Sequence, residues 1–177
     1  MFSLIVATDI NNGIGRDYAI PWHHREDMRN FKRLTQGNVV VMGRKTWESL
    51  PVRPLSNRVN IIISTTLNDS DFRDGKEDVM VFPSIDQMIR FRRGLPLGDK
   101  WNYKEWFIIG GATLYNYFLT NQIFLEFIYR TRLKTDYNCD TFLDNEPDVS
   151  VRGEWKTILL KEWDDATYFE MEKKTEE

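Results

Sequence analysis

One cysteine is all this chain of 177 residues has, so no disulfide can close within it. That favours a reducing compartment. Cys139 has no histidine near it in sequence and no surrounding motif of a nucleophilic thiol, which argues against thiol catalysis. The only two histidines, His23 and His24, are adjacent. Neighbouring positions on a helix point apart, and no other cysteine or histidine remains to complete a zinc site, so no metal is expected. No apolar run approaches the ~20 residues of a membrane helix. The opening MFSLIVATDI is apolar but short, with neither a basic start nor a small-residue cleavage site, and it reads as a strand rather than a leader. Charge is nearly balanced at −3, which gives no pull toward nucleic acid or an acidic membrane. The cluster Arg90, Arg92 and Arg93 reads as the solvated end of a helix. The expectation is a soluble, cytoplasmic protein.

What is present suits one core. A hydrophobic fraction of 41% with 14% aromatic residues fits a single domain over 1–177, with 173–177 as a frayed tail. FSLIVAT (2–8), VVVMG (39–43) and RVNIIIS (58–64) are nearly continuous apolar runs, as in strands buried on both faces. Residues 11–23 form a loop punctuated by Gly13, Gly15 and Pro21. A helix over 25–35 ends at Gly37, and RKTWESL is helical. The acidic stretch 68–78 is a surface connection, followed by the strand VMVF. Ser84 caps a helix through Ile85, Met88 and Ile89. WFIIGG is a strand that runs into the helix ATLYNYFL, and FLEFIYRTRL, WKTILLKEW and ATYFEME alternate like antiparallel strands. This order predicts an α/β fold with a mostly parallel central sheet, an antiparallel C-terminal edge strand and about four flanking helices.

Three places carry chemistry. On a helix over HHREDMRNFKRLTQG, Asp27 and Phe31 share a face with Met28 and Leu34 beside them, while Glu26 points away. A carboxyl group among Met, Phe and Leu loses hydration and gains proton affinity, which suits it to hold a flat ligand and manage a proton. An acid in a first turn is also what the helix dipole favours, and the segment alone leaves both readings open. Next, two strands run into helices through glycine. Gly43 precedes Arg44, Lys45 and Thr46, and Gly110 with Gly111 precedes ATLYNYF. Helix starts bind phosphate, and ligands of α/β sheets sit outside the carboxyl ends of strands. Trp47 reads as packing. Finally, Arg58 after the PVRPLSN loop is either a surface charge or a bidentate partner for a carboxylate. Lys32 offers a second positive charge at the same rim.

SLIVA, GIGRDYAIPW, DMRNFKRLT, VVVMGRKTWESL, RPLSNRVNIIIS, IIGGATLY, YRTRL and CDTFL stand in the order and at the spacing of one family. Along nearly its whole length the chain resembles dihydrofolate reductase. The resemblance implies reduction of 7,8-dihydrofolate by NADPH, with hydride added at C6 and a proton at N5, in support of thymidylate and one-carbon metabolism. It also implies inhibition by antifolates and a monomer. By that resemblance the catalytic residues are Asp27, Trp22 and Thr131. Asp27 binds the pteridine 2-amino group and N3, and Thr131 assists it; Thr135 would fall beyond the strand. The pteridine lies against Ile5, Val6, Ala7, Phe31 and Ile109, with Tyr115 beside it. Met28, Leu50 and Leu55 hold the benzoyl portion, and Arg58 the glutamate α-carboxylate, with Lys32 at the rim. NADPH uses Ala7, Ile14, Gly15, Ile20, Gly43, Arg44, Lys45, Thr46, Ser64, Thr65, Ile109, Gly110, Gly111, Ala112, Thr113, Leu114 and Tyr115. The loop with Ile14, Gly15, Ile20 and Trp22 closes over the nicotinamide, and Gly110–Gly111 matches a cis peptide. The chain departs from the pattern at Ala112 and Thr113, where many members hold the 2′-phosphate with arginine. It also has Cys139 where a glycine often precedes the aspartate, here Asp140. It has an extra residue near PVRPL and about three near TNQIFLEF, a tolerable change for loops.

Overall fold

The computed structural model describes residues 1–72, 78–144 and 155–174. Its strands are β1 (Phe2–Thr8), β2 (Gly13–Gly15), β3 (Val39–Gly43), β4 (Val59–Ile63), β5 (Val79–Phe82), β6 (Trp106–Ile108), β7 (Leu125–Leu133), β8 (Thr141–Phe142), β9 (Trp155–Glu162) and β10 (Ala166–Lys173). Its helices are α1 (Arg25–Thr35), α2 (Arg44–Ser49), α3 (Ile85–Arg93) and α4 (Ala112–Thr120). Eight strands form one sheet in the order β5-β4-β3-β6-β1-β7-β10-β9. The strands from β5 to β7 are mutually parallel, and β10 runs antiparallel to both its neighbours. The mostly parallel sheet and the antiparallel C-terminal strand follow the expectation. β10 lies one place in from the edge, which β9 occupies. No helix among the described residues is long and apolar enough to cross a membrane.

Alternation along the strands builds a core on each face. Leu4, Val6, Val41, Ile61, Ile108 and Ile128 join Met88 of α3 and Leu114 and Phe118 of α4 on one side. Ile5, Val40, Met42, Ile62, Phe107 and Tyr129 face the other side, where Phe31 and Leu34 of α1 and Trp47 of α2 pack. Trp47 is thus a packing residue. The expected surface connection is only partly on the surface. Asp69–Phe72 is a 3₁₀ turn, Phe72 packs edge-on against Trp47 at 5.5 Å, and 73–77 lie outside the described residues. Of the expected frayed tail, Lys173 still pairs with Trp155, and 175–177 lie outside the described residues.

The expected loop over 11–23 holds a strand of its own. β2 pairs with β8, which follows the Tyr137–Asp140 segment, and two glycines in three residues hid it from sequence patterning. The register is tight at Gly13. A Cβ there would collide with the Cβ of Cys139 and lie 2.6 Å from its Sγ. Gly13→Ala is therefore expected to cost about 1–3 kcal/mol, as overpacking does. Adding Cys139→Gly should recover most of that loss in urea unfolding; a double variant no more stable than Gly13→Ala would contradict the clash.

Candidate active site

α1 starts where it does because His24 caps it. The Asp27 backbone N–H donates to Nδ1 of His24 at 3.1 Å. The helix turns Phe31 and Leu34 onto the sheet, and Asp27, one turn before Phe31, lies on the same side. Glu26 turns outward to Arg29 at 2.6 Å. Asp27 is half-buried, and its environment raises its pKa above the ordinary carboxyl value. Burial is the larger cause; the Thr131 side chain pulls the other way, as does His24 when its ring carries a charge. Thr131 is buried on β7, level with Ala7 of β1 and Tyr168 of β10. Thr135 is exposed, beyond the end of β7.

The cleft beside Asp27 is built from the same face of the sheet. Ile5 and Ile109 belong to its floor, and Leu50 and Leu55 pack partly buried against it. Ala7, two residues past Ile5, falls on that face by strand alternation. Val6 does not: its side chain packs with Leu4 in the opposite core. A one-residue step along a strand reverses the face, so only the Val6 backbone borders the cleft. Met28 is 55% exposed and stands at the mouth rather than in the apolar stripe. Lys32 is exposed.

Arg58 is 8% exposed, so the surface-charge reading is set aside. Its Nε donates to the Ser56 carbonyl at 3.0 Å and Nη1 to Thr35 Oγ1 at 3.1 Å, and the guanidinium lies 5.9 Å over the Phe31 ring. Asn60 pins the preceding loop through Leu55 and Arg58. The burial lowers the Arg58 pKa from its usual high value. Its two recorded side-chain bonds go to neutral oxygens, which suits it to an incoming carboxylate.

On the carboxyl edge of the sheet, Gly43 N–H donates to the Gly110 carbonyl at 2.8 Å, joining the ends of β3 and β6. The Gly110–Gly111 peptide is cis. α1 and α3 carry side-chain caps on His24 and Ser84, whereas α2 and α4 begin at Gly43 and Gly111 with none. A Cβ at Gly111 would lie 3.2 Å from Thr46 Oγ1, so a side chain would crowd the gap between the two starts. Uncapped N–H groups beside glycine, with Arg44, Lys45 and Thr46 next to them, fit a phosphate-bearing ligand. Thr65 and Thr113 are exposed, Ala112 is half-buried, and Leu114 belongs to the opposite core.

Three expected ligand groups are already engaged. The Ser64 hydroxyl accepts from the N–H groups of Thr66 at 3.1 Å and Leu67 at 3.0 Å. Tyr115 donates its hydroxyl to the Ile5 carbonyl at 2.8 Å, and burial raises its pKa far above the usual value. Arg44 Nη1 is held by both oxygens of Glu48, at 2.7 and 2.8 Å. The Glu48 contact was not singled out from sequence, although its spacing of four from Arg44 is the ordinary signal of a helical ion pair.

The loop over the cleft is tied to the segment before β8. Asp140 accepts from Asp17 N–H at 2.9 Å and donates its own N–H to the Gly15 carbonyl at 3.0 Å. Trp22 is half-buried with its ring 5.2 Å from Tyr137. Ile14 packs partly buried on the core, while Ile20 is exposed. Lys45 Nζ lies 5.2 Å over the exposed Tyr18 ring, joining this loop to the start of α2. Among the described residues, no group of three or more His, Cys, Asp or Glu could hold a metal ion.

An open α/β sheet with a half-buried acid on one face and glycine-led helix starts at its carboxyl edge fits an enzyme of the nucleotide-binding α/β class. The family model described as dihydrofolate reductase matches residues 1–173. The dihydrofolate reductase of Haemophilus influenzae is 37% identical over 141 residues, covering 80% of this chain and 77% of that protein. That of Heliothis virescens is 34% identical over 152 residues, covering 81% and 78%. The bifunctional dihydrofolate reductase-thymidylate synthase of Paramecium tetraurelia is 33% identical over 143 residues, of which this chain spans only 28% of the length. The chain belongs to the dihydrofolate reductase family and is an oxidoreductase that reduces dihydrofolate to tetrahydrofolate.

A raised pKa in the folded state has a consequence for stability. The folded protein holds the Asp27 proton more tightly than the unfolded chain does. That contribution is full below the unfolded value, about 3.9, and is lost as pH rises through the folded value. Asp27→Asn is therefore expected to raise the melting temperature at pH 8 more than at pH 4. An equal change at both, seen by scanning calorimetry, would mean that the acid is not strained by burial.

Proposed function

We propose that NADPH is the hydride donor and that Asp27, steadied by Thr131, both holds the pteridine ring and governs the proton that reaches N5. The observation that carries this reading is the half-buried Asp27 carboxyl on the Phe31 side of α1, raised in pKa by burial and moderated by the Thr131 side chain. A carboxylate accepts two parallel hydrogen bonds, which matches the amino group and N3 of the pteridine. The raised pKa keeps a proton available nearer neutral pH than an ordinary aspartate does. Ile5, Ala7, Phe31 and Ile109 offer apolar faces to the ring, and burial of those surfaces excludes water from it. Leu50, Leu55 and Met28 flank the benzoyl group. Arg58 pairs with the glutamate α-carboxylate, with Lys32 at the rim. An antifolate with a protonated diaminopyrimidine would use the same acid and the same walls.

NADPH, when bound, supplies the hydride for C6. Gly110, Gly111, Ala112 and Thr113 leave backbone N–H groups for its phosphates, Gly43 lets it approach closely with Leu114 packed behind, and Ala7, Ile14, Gly15 and Ile20 border its nicotinamide end. Arg44, Lys45, Thr46 and Thr65 would read the 2′-phosphate in the absence of an arginine after the glycine pair. Arg44 must then leave Glu48. Trp22 on the closing loop excludes water and orders the ring contacts of the substrate. A single domain over 1–177 is supported by one sheet that takes strands from Phe2 to Lys173. We place the protein in the cytoplasm, in keeping with its one cysteine, and take it as a monomer from the family resemblance alone.

The reading is tested by following loss of reduced nicotinamide absorbance with dihydrofolate. Asp27→Asn should lower turnover at pH 7 by about 10²–10⁴, the usual worth of a positioned proton-transfer group, and should weaken binding less. Normal turnover in that variant would end the proton role. Glu48→Gln should free Arg44 and tighten NADPH by up to about tenfold, roughly one charge-assisted contact, while leaving NADH unchanged. Protein fluorescence titration reads both, and an equal gain for NADH would show that Arg44 does not read the phosphate.

A further inference from the structure

His24 is bonded through both ring nitrogens. Nδ1 accepts from the Asp27 backbone N–H at 3.1 Å, so that nitrogen carries no proton. In a neutral imidazole the proton then sits on Nε2, which lies 3.2 Å from Oδ1 of Asp165. The side chain is only 7% exposed, and its ring is 4.9 Å from that of Trp163. Asp165 belongs to the turn between β9 and β10, and that turn is fastened to the end of β7. The Lys134 N–H donates to the Asp165 carbonyl at 2.9 Å. Its Nζ reaches Glu162 Oε1 and the Trp163 carbonyl, each at 3.0 Å. Thr131 lies three residues before Lys134 on β7. A continuous path of bonds therefore runs from the Asp27 amide through His24, Asp165 and Lys134 to the strand that carries the partner of the Asp27 carboxyl.

The geometry points to His24 and Asp165 as positioning residues for Asp27 and Thr131: a single imidazole tautomer clasps the first turn of α1 to the end of β7 and so sets how far the Asp27 carboxyl is drawn out of water. This rests on Asp27 being the proton-handling acid. Serine or asparagine at the same position would accept the Asp27 N–H and stop there. Imidazole passes the constraint on through its second nitrogen. The clasp also requires a neutral ring, because a proton on Nδ1 would set a donor against the Asp27 N–H. The ionisable groups facing His24 are Asp27 and Asp165. Those facing Asp27 are His24, Tyr115 of α4 and Tyr168 of β10, and burial keeps both tyrosines protonated at neutral pH. The cations beside this turn are Lys161, over the Trp163 ring at 5.9 Å, and Lys134 on the Trp163 carbonyl at 3.0 Å.

Two measurements on the intact protein test this. Nitrogen NMR of the wild type should find His24 with Nδ1 bare and Nε2 protonated at neutral pH. The opposite tautomer would overturn the clasp whatever Asp27 does, whereas normal turnover in Asp27→Asn would strike only the functional reading. The second is the pH profile of the hydride-transfer rate at saturating substrate. His24→Ala should loosen the first turn and let water reach Asp27. The rate at pH 7 should then fall about threefold to tenfold, as for a modestly misplaced catalytic group. The midpoint of the alkaline decline should move at least about half a pH unit toward acid. His24→Asn, which restores the cap alone, should recover part of the rate, and Asp165→Ala, which keeps the cap but frees the ring, should give a smaller shift in the same direction. A profile unchanged in both His24→Ala and Asp165→Ala, with only the melting temperature lowered, would overturn the proposal. If His24→Ala does not fold, Asp165→Ala decides by the same criterion.

Discussion

A carboxyl group drawn half out of water gains proton affinity, and in this chain the Thr131 side chain offsets part of what burial does to Asp27. The two residues come from opposite halves of the sequence, one on α1 and one on β7, which follows α4 in the chain. Burial raises the proton affinity of the acid, while the threonine moderates it. The balance leaves a group that can accept two hydrogen bonds from a flat ring and still manage a proton. It also imposes a stability cost at neutral pH, a familiar arrangement where chemistry needs a strained group.

The sheet makes that placement possible. β1 and β7 are parallel neighbours, so Ala7 and Thr131 stand level, and strand alternation puts Ile5 on the α1 side while Val6 turns away. Four helices cover the two faces in pairs, α1 and α2 on the acid's side, α3 and α4 on the other. β3 and β6, which flank one another beside β1, run at their carboxyl ends into glycine, and this is where two helices begin without side-chain caps. The proposed substrate and cofactor sites would therefore share one edge of one sheet, with the loop from β1 to α1 bordering both.

Much of this was legible in the sequence. Continuous apolar runs marked the buried parallel strands, and the glycines marked where they stop. Asp27 stands out because an acid at helical spacing from Phe31 and Leu34 breaks the pattern of an apolar face. The parts that stayed hidden depend on contacts that no local pattern encodes. Asp165 touches His24 across 141 positions of sequence. Histidine is not among the usual helix caps, so His24 gave no cap signal. β2 is too short and too rich in glycine to read as a strand. Val6 was placed in the cleft by resemblance, although alternation alone assigns its side chain to the other face. Ser64 and Tyr115 matched a motif, but their hydroxyls are engaged within the protein by bonds that only the folded chain reveals.

The measurement that bears most directly on the central claim is a carbon NMR titration of the Asp27 side-chain carboxyl in the free protein, repeated in Thr131→Val. The midpoint should lie above the ordinary aspartate value of about 3.9, and higher still when the threonine hydroxyl is removed. A wild-type midpoint at or below that ordinary value, or a fall in Thr131→Val, would contradict that claim.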